Sequence, residues 1–100
     1  MTSEGNGLVF EVKLSQKIKK RAKELYQETL LRGEGPRFLK ALRVINDRLR
    51  RDPIHFGEPL YHLRALKLVM YQVVVSPIVV VYVIHEEKPL VFLKDVKLLD

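Results

Sequence analysis

The chain contains no cysteine. Disulfide staples and thiolate metal sites are thereby excluded, and a reducing, cytoplasmic setting is the natural expectation. The opening residues 1–7 are polar and carry Glu4, so no secretory signal is read there. They are expected to form a flexible lead-in. No lipidation signal is found at the other end. The histidines, His55, His62 and His85, have no close ligand spacing, and neither a metal site nor a cofactor is expected. A glycine-rich phosphate loop is also missing, because Gly33-Glu34-Gly35 reads as a helix connection without a preceding strand. Spacing alone supports no Ser-His-Asp or paired-carboxylate arrangement, and no internal repeat is present.

One stretch lacks charge altogether. Residues 68–84 contain no Asp, Glu, Lys or Arg, and their length just reaches that of a membrane span. They are dominated by Val and Ile and broken by Ser76-Pro77, a pattern of two buried strands around a tight turn. No membrane association is expected.

What is present suits one ordered domain spanning residues 1–100, with 47% hydrophobic and 30% charged residues. Charge is lopsided. Between Lys13 and Arg51 thirteen Lys or Arg face four acids, a net +9 within a chain total of +6. Such a basic half suits a polyanionic partner, and it equally suits a solvated Lys/Arg-rich helix surface.

The periodicity predicts the elements. Residues 8–14 (LVFEVKL) alternate as a short strand. Ser15 is placed to cap a helix whose apolar stripe is Ile18, Ala22, Leu25, Thr29 and Leu30, stopped by Gly33. Gly35-Pro36 opens a second helix with Phe38, Leu42, Ile45 and Leu49 inward, widened by Leu39 and Ala41, and ended by Asp52-Pro53. Residues 54–59 (IHFGEP) read as loop, and residues 60–67 are ambiguous between loop and the start of a strand. Three strands follow at 68–75, 78–85 and 90–98, joined closely enough to be antiparallel neighbours. The first strand is left to pair at an edge or beside the last. The expected class is α+β, with an antiparallel sheet packed against a two-helix hairpin in the order β-α-α-β-β-β.

That order, the length and the basic charge resemble the RelE/ParE family of toxin-antitoxin toxins. Locally, INDRLRRDPIHFGEPL resembles the family's helix end and following loop, and VVVYVIHEEKPLVFLKDV its strand-turn-strand. The resemblance covers roughly residues 8–98. It implies a toxin-type protein restrained by a cognate antitoxin, acting either on messenger RNA at the ribosome or on DNA gyrase. Cleavage by a ribose 2′-hydroxyl needs a base, an acid and fixed positive charge around the phosphate. In the family these come from an Arg on the middle strand, a Lys or Arg on the strand before it, and an Arg or His with a Tyr near the C-terminus. Here the middle-strand Arg position falls near Val79, and strand 68–75 offers only Tyr71 and Gln72. Lys94 and Lys97 fall near the later cationic positions, with no Tyr after them.

Three functions remain open at this point. The first is a toxin-type protein that acts by binding protein or nucleic acid, without an intact nuclease site. The second is a metal-independent, ribosome-dependent endoribonuclease with a divergent site of His62, Arg64, Lys67, Lys94 and Lys97. The third is a non-toxic nucleic-acid-binding module. Lys17, Lys20, Arg21, Lys23, Arg48, Arg50 and Arg51 are the candidate phosphate contacts. No aromatic residues interleave the basic run, so no base-stacking platform is indicated. His85 is expected to cap a strand end. A Val-rich sheet with an exposed edge makes an antitoxin partner or a homodimer plausible.

Overall fold

A computed structural model describes residues 9–99, and the expected flexible lead-in lies outside them. The elements are β1 (Glu11–Lys13), α1 (Gln16–Leu31), α2 (Gly35–Arg51), a single helical turn α3 (Pro53–Phe56), β2 (Glu58–Leu63), a 3-10 turn (Arg64–Leu66), β3 (Leu68–Val75), β4 (Ile78–His85) and β5 (Leu90–Leu98). The strands form one sheet in the order β1-β5-β4-β3-β2, and the α1–α2 hairpin packs on one of its faces. This is the expected α+β architecture. The last three strands have the expected limits.

Each helix begins and ends for a local reason. The Ser15 hydroxyl accepts the Ile18 N–H at 3.1 Å and caps α1. At the other end Gly33 takes φ +75°. Its N–H bonds to the Leu30 carbonyl and the Glu34 N–H to the Thr29 carbonyl, the paired closure of a Schellman motif. Pro36 occupies the first turn of α2. Ile18, Leu25 and Thr29 of α1, with Phe38, Ala41, Ile45 and Leu49 of α2, are buried against the sheet. Leu30 and Leu39, expected inside, lie at the margins of their stripes and are exposed.

Three features differ from the expectation. Four strands pair antiparallel, but β1 joins β5 in parallel, so the sheet is mixed. The meander reverses direction at each turn from β2 onward, and its last strand therefore points the same way as β1. Residues 53–56 are helical rather than loop, since Pro53 supplies the preset φ of a first helical position. The ambiguous residues 60–67 divide between β2, which begins at Glu58, and the 3-10 turn, which ends at Lys67 with φ 55°.

A buried aromatic stack fastens this middle region to the sheet. Tyr82 of β4 lies 5.3 Å from Tyr71 and 6.5 Å from Phe56, both stacked, and the Arg48 guanidinium sits 4.9 Å above the Phe56 ring. The Tyr82 hydroxyl donates to the Pro53 carbonyl at 2.7 Å. Gly57 is needed there, because a Cβ would come within 2.7 Å of the Gln72 carbonyl oxygen and 2.8 Å of the Tyr82 hydroxyl. Burial raises the pKa of both Tyr71 and Tyr82 above the ordinary phenol value.

Strand register sorts the side chains by face, since paired residues on neighbouring strands point the same way. Ile78, Val80, Tyr82 and Ile84 belong to the core, together with Val91 and Val96. The opposite face carries a row that crosses all five strands: Tyr61, Met70, Val83, Phe92 and Lys13. On β5 the alternation is broken. Leu93 pairs with Tyr82 and Asp95 with Val81, leaving Lys94 as an extra residue in a bulge. The Asp95 carboxylate accepts the Val96 N–H at 2.9 Å and helps to hold the irregularity.

Candidate binding groove

An open groove of about 1040 Å³ lies between the sheet and the start of α1, reaching core-side Ile18 and Leu93 as well as the outer face of the sheet. Leu68, Met70, Val83 and Phe92 make the floor. One wall is apolar, built from Leu63 and Leu66, the latter 64% exposed. The other wall is the start of α1, whose Lys17, Lys20, Arg21 and Glu24 fall at i, i+3, i+4 and i+7 and so share a stripe. Lys13 and Lys94 extend the basic rim, and Asp95 is its second carboxylate. Five cations therefore stand against two acids around an apolar base. The Ser15 cap matters here, because it fixes where the first turn of α1 starts and hence where Lys17 emerges.

Of the residues nominated from sequence, Lys17, Lys20, Arg21 and Lys94 come together on this groove. The others lie elsewhere. Lys23 is exposed on α1 outside the groove lining. Arg48 covers Phe56, the Arg50 carbonyl accepts the Phe10 N–H, and Arg51 pairs with Asp47 at 2.9 Å. Arg64 is exposed at the start of the 3-10 turn. Lys97 pairs across strands with Val79.

His62 and Lys67 are held by the β4–β5 turn. The His62 Nε2 is 2.8 Å from the Glu86 carboxylate, and the Lys67 ammonium 3.0 Å from that of Glu87. His62 shares a row with Val69 and Ile84, whose side chains belong to the core side, whereas Lys97 shares one with Val74 and Val79 on the groove side. His62 on β2 and Lys94 on β5 are separated by two intervening strands, roughly 14 Å at the usual strand spacing. The five nominated catalytic side chains do not converge. His85 takes its expected place, its Nδ1 accepting the Glu87 N–H at 3.0 Å.

The position at which the resemblance sets a catalytic Arg holds Val79, only 5% exposed. Along β3 the groove-side residues are Leu68, Met70, Gln72 and Val74, none of them a cation or a base. Among the described residues no cluster of three or more His, Asp or Glu is arranged to hold a metal, and no helix is long and apolar enough to cross a membrane. The apolar stretch 68–84 forms β3, a turn and β4 instead.

Sequence reasoning missed the groove floor. A signal was available in part: the i, i+3, i+4 spacing of Lys17, Lys20 and Arg21 marks one helix face, and Met70 and Phe92 sit at alternating positions opposite core residues. The edge strand β2 is exposed, but its pairing with β3 is irregular at Leu60, and Pro59 removes a backbone donor. Bulges, prolines and charges such as Glu58 are devices that discourage edge-to-edge pairing.

Comparison with family models, with curated proteins and with solved structures finds no match. Fold and site together define a small α+β domain with an open, basic-rimmed apolar groove on its sheet.

Proposed function

We propose that this chain is a toxin-type protein of a type II toxin-antitoxin pair, of the RelE/ParE kind, which works in the cytoplasm by binding rather than by cutting RNA. The observation that carries the reading is the character of the groove-side sheet face. Where the resemblance expects cations and an acid-base pair, Val79, Met70 and Val83 present methyl and thioether groups. Phosphate cleavage requires charged groups fixed around the reacting oxygens and a positioned base, and the apolar floor carries neither. An apolar floor with a basic border suits instead a macromolecular partner, whether the cellular target or the restraining antitoxin.

One observation favours the endoribonuclease reading: Lys94 stands in the same groove as Lys17, Lys20 and Arg21, so fixed positive charge is available. The carboxylate next to it in sequence, Asp95, is engaged by the Val96 N–H, and His62 belongs to the other side of the sheet and is engaged by Glu86.

Induced expression in a bacterial host tests both readings, with growth and the 5′ ends of messenger RNA followed in the same cultures. Growth arrest without new 5′ ends is the expected result. Arrest accompanied by ribosome-phased ends that disappear in a Lys94→Ala variant would establish the cutting reading. Unimpaired growth in hosts from several bacterial groups would leave a non-toxic binding module.

A further inference from the structure

We propose that residues 63–67 form a latched strap, a wall of the groove that swings outward when its contacts to the β4–β5 turn are broken. The proposal rests on the reading that the groove is the binding site, and it names a device that sets the groove's width. The strap joins β2 to β3 and carries Leu63 and Leu66, the apolar wall. Nothing in its 3-10 turn is buried, and Leu66 is 64% exposed, so hydrophobic packing does not fasten it. It ends on Lys67, whose φ of 55° and ψ of 45° lie in the left-handed region. Among the described residues Lys67 is the one non-glycine with a positive φ. That conformation is disfavoured for a residue with a Cβ and persists only where its surroundings hold it.

What holds the strap is polar and comes from one place. The Glu86 N–H donates to the Lys67 carbonyl at 2.9 Å, and the Glu86 carboxylate lies 2.8 Å from the His62 Nε2. The Glu87 carboxylate accepts from the Lys67 ammonium at 3.0 Å. Two adjacent acids thus clasp both ends of the strap, His62 just before it and Lys67 at its close. His85 accepts the Glu87 N–H at 3.0 Å and keeps the clasp itself in shape. Both side-chain pairs stand in solvent, their members 36–59% exposed, and such pairs are weak and screened by salt. The opposite wall is different. It belongs to a 16-residue helix capped by Ser15 and anchored by buried Ile18 and Leu25, so the strap is the wall that can move. An exposed turn, a disfavoured hinge and a weak external clasp are the parts of a segment poised to open.

The chain has no cysteine of its own, so Leu66→Cys and Lys23→Cys can carry a pair of spin labels, Lys23 lying on α1 outside the groove lining. Label distances are measured by pulsed electron resonance, and amide exchange of residues 63–67 is followed in the unlabelled chain. Glu86→Ala/Glu87→Ala removes the clasp. Asp47→Ala removes an exposed ion pair of α2 instead, 2.9 Å from Arg51, and serves as the control. A single label distance is expected in the parent and in the control, with a second, longer one in the double variant. Strap amides should exchange about fivefold or more faster in the double variant, while those of buried β4 change less. Raising salt to about 1 M should move the parent chain the same way. That series needs no substitution at the turn and decides the matter if the double variant unfolds. Label distances unchanged on removing the clasp, or strap amides no faster than in the control, would overturn the proposal. So would strap amides that open only together with those of β4, because the strap would then be part of the core. Neither readout depends on toxicity or on a ligand. A fixed strap would refute this inference and leave the binding reading intact, whereas RNA cleavage in cells by a chain whose strap opens would do the reverse.

Discussion

Replacing Tyr82 by Phe isolates the part of the core that holds the middle of the chain in place. The ring is fully buried, and its hydroxyl satisfies one backbone group, the Pro53 carbonyl at 2.7 Å. Phe keeps the stack with Tyr71 and Phe56 and leaves almost no void, so the packing term is small. What is lost is polar. The carbonyl of the buried Pro53 loses its partner, and an unsatisfied buried group costs about 1–3 kcal/mol. Some relaxation of the short α3 turn will recover part of that, and a net loss of about 1–2 kcal/mol follows. For a domain of this size each kcal/mol shifts the melting temperature by roughly 4–8 °C, so Y82F should melt roughly 4–16 °C lower. Urea unfolding followed by circular dichroism should show a lower midpoint with an unchanged slope. Y61F provides the control, because Tyr61 is 64% exposed and its variant should stay within about 0.5 kcal/mol of the wild type. A Y82F midpoint indistinguishable from that of Y61F would refute the reasoning and show that the Pro53–Gly57 backbone is held by something else.

The same phenol predicts a response to alkali. Tyr82 and Tyr71 titrate above the unfolded value of 10.0, so the folded state keeps its protons where the unfolded state loses them. Their contribution is complete below pH 10 and falls as the pH rises beyond it; melting curves between pH 9 and 11 should decline more steeply for the wild type than for Y82F, and parallel curves would contradict the assignment. Gly57→Ala should destabilise by about 2 kcal/mol or more, because its Cβ would meet the backbone oxygen of Gln72 at 2.7 Å and not a side chain that can swing aside. Denaturant titration measures this, and a loss below about 0.5 kcal/mol would mean that the loop shifts freely.

Much of the fold was legible because its signals are local. The capping by Ser15, the left-handed stop at Gly33 and the Val-rich runs of β3 and β4 broken by Ser76-Pro77 all act within a few residues, and each placed an element correctly. The place of β1, at an edge and beside the last strand, was legible, but its direction was not, since three paired residues contain too little pattern to choose one. The 3-10 turn and β2 were hidden because their order comes from distant contacts, namely Glu86 and Glu87 gripping His62 and Lys67, and the β3 ladder. The groove was visible only in halves. Its basic wall could be found from helical spacing, but its floor combines single residues from strands far apart in the chain. The candidates His62 and Lys97 shared chemistry in the sequence, yet register set them on opposite sides of the sheet, and only pairing reveals that.

The extra residue at Lys94 has a consequence for how this chain tolerates length changes. Core residues on β5 occupy odd positions, Val91 and Leu93, before the bulge, and even positions, Val96 and Leu98, after it. Lys94 is thus an extra beat in a two-beat rhythm, and the bulge absorbs it so that both halves of the strand stay in step with β4. Loss of that single codon would join Leu93 directly to Asp95 and leave Asp95 opposite Val81 and Val96 opposite Val80, with the same residues inside and outside as before. A deletion at this one place would straighten the strand and cost a surface lysine, and the core would keep its composition.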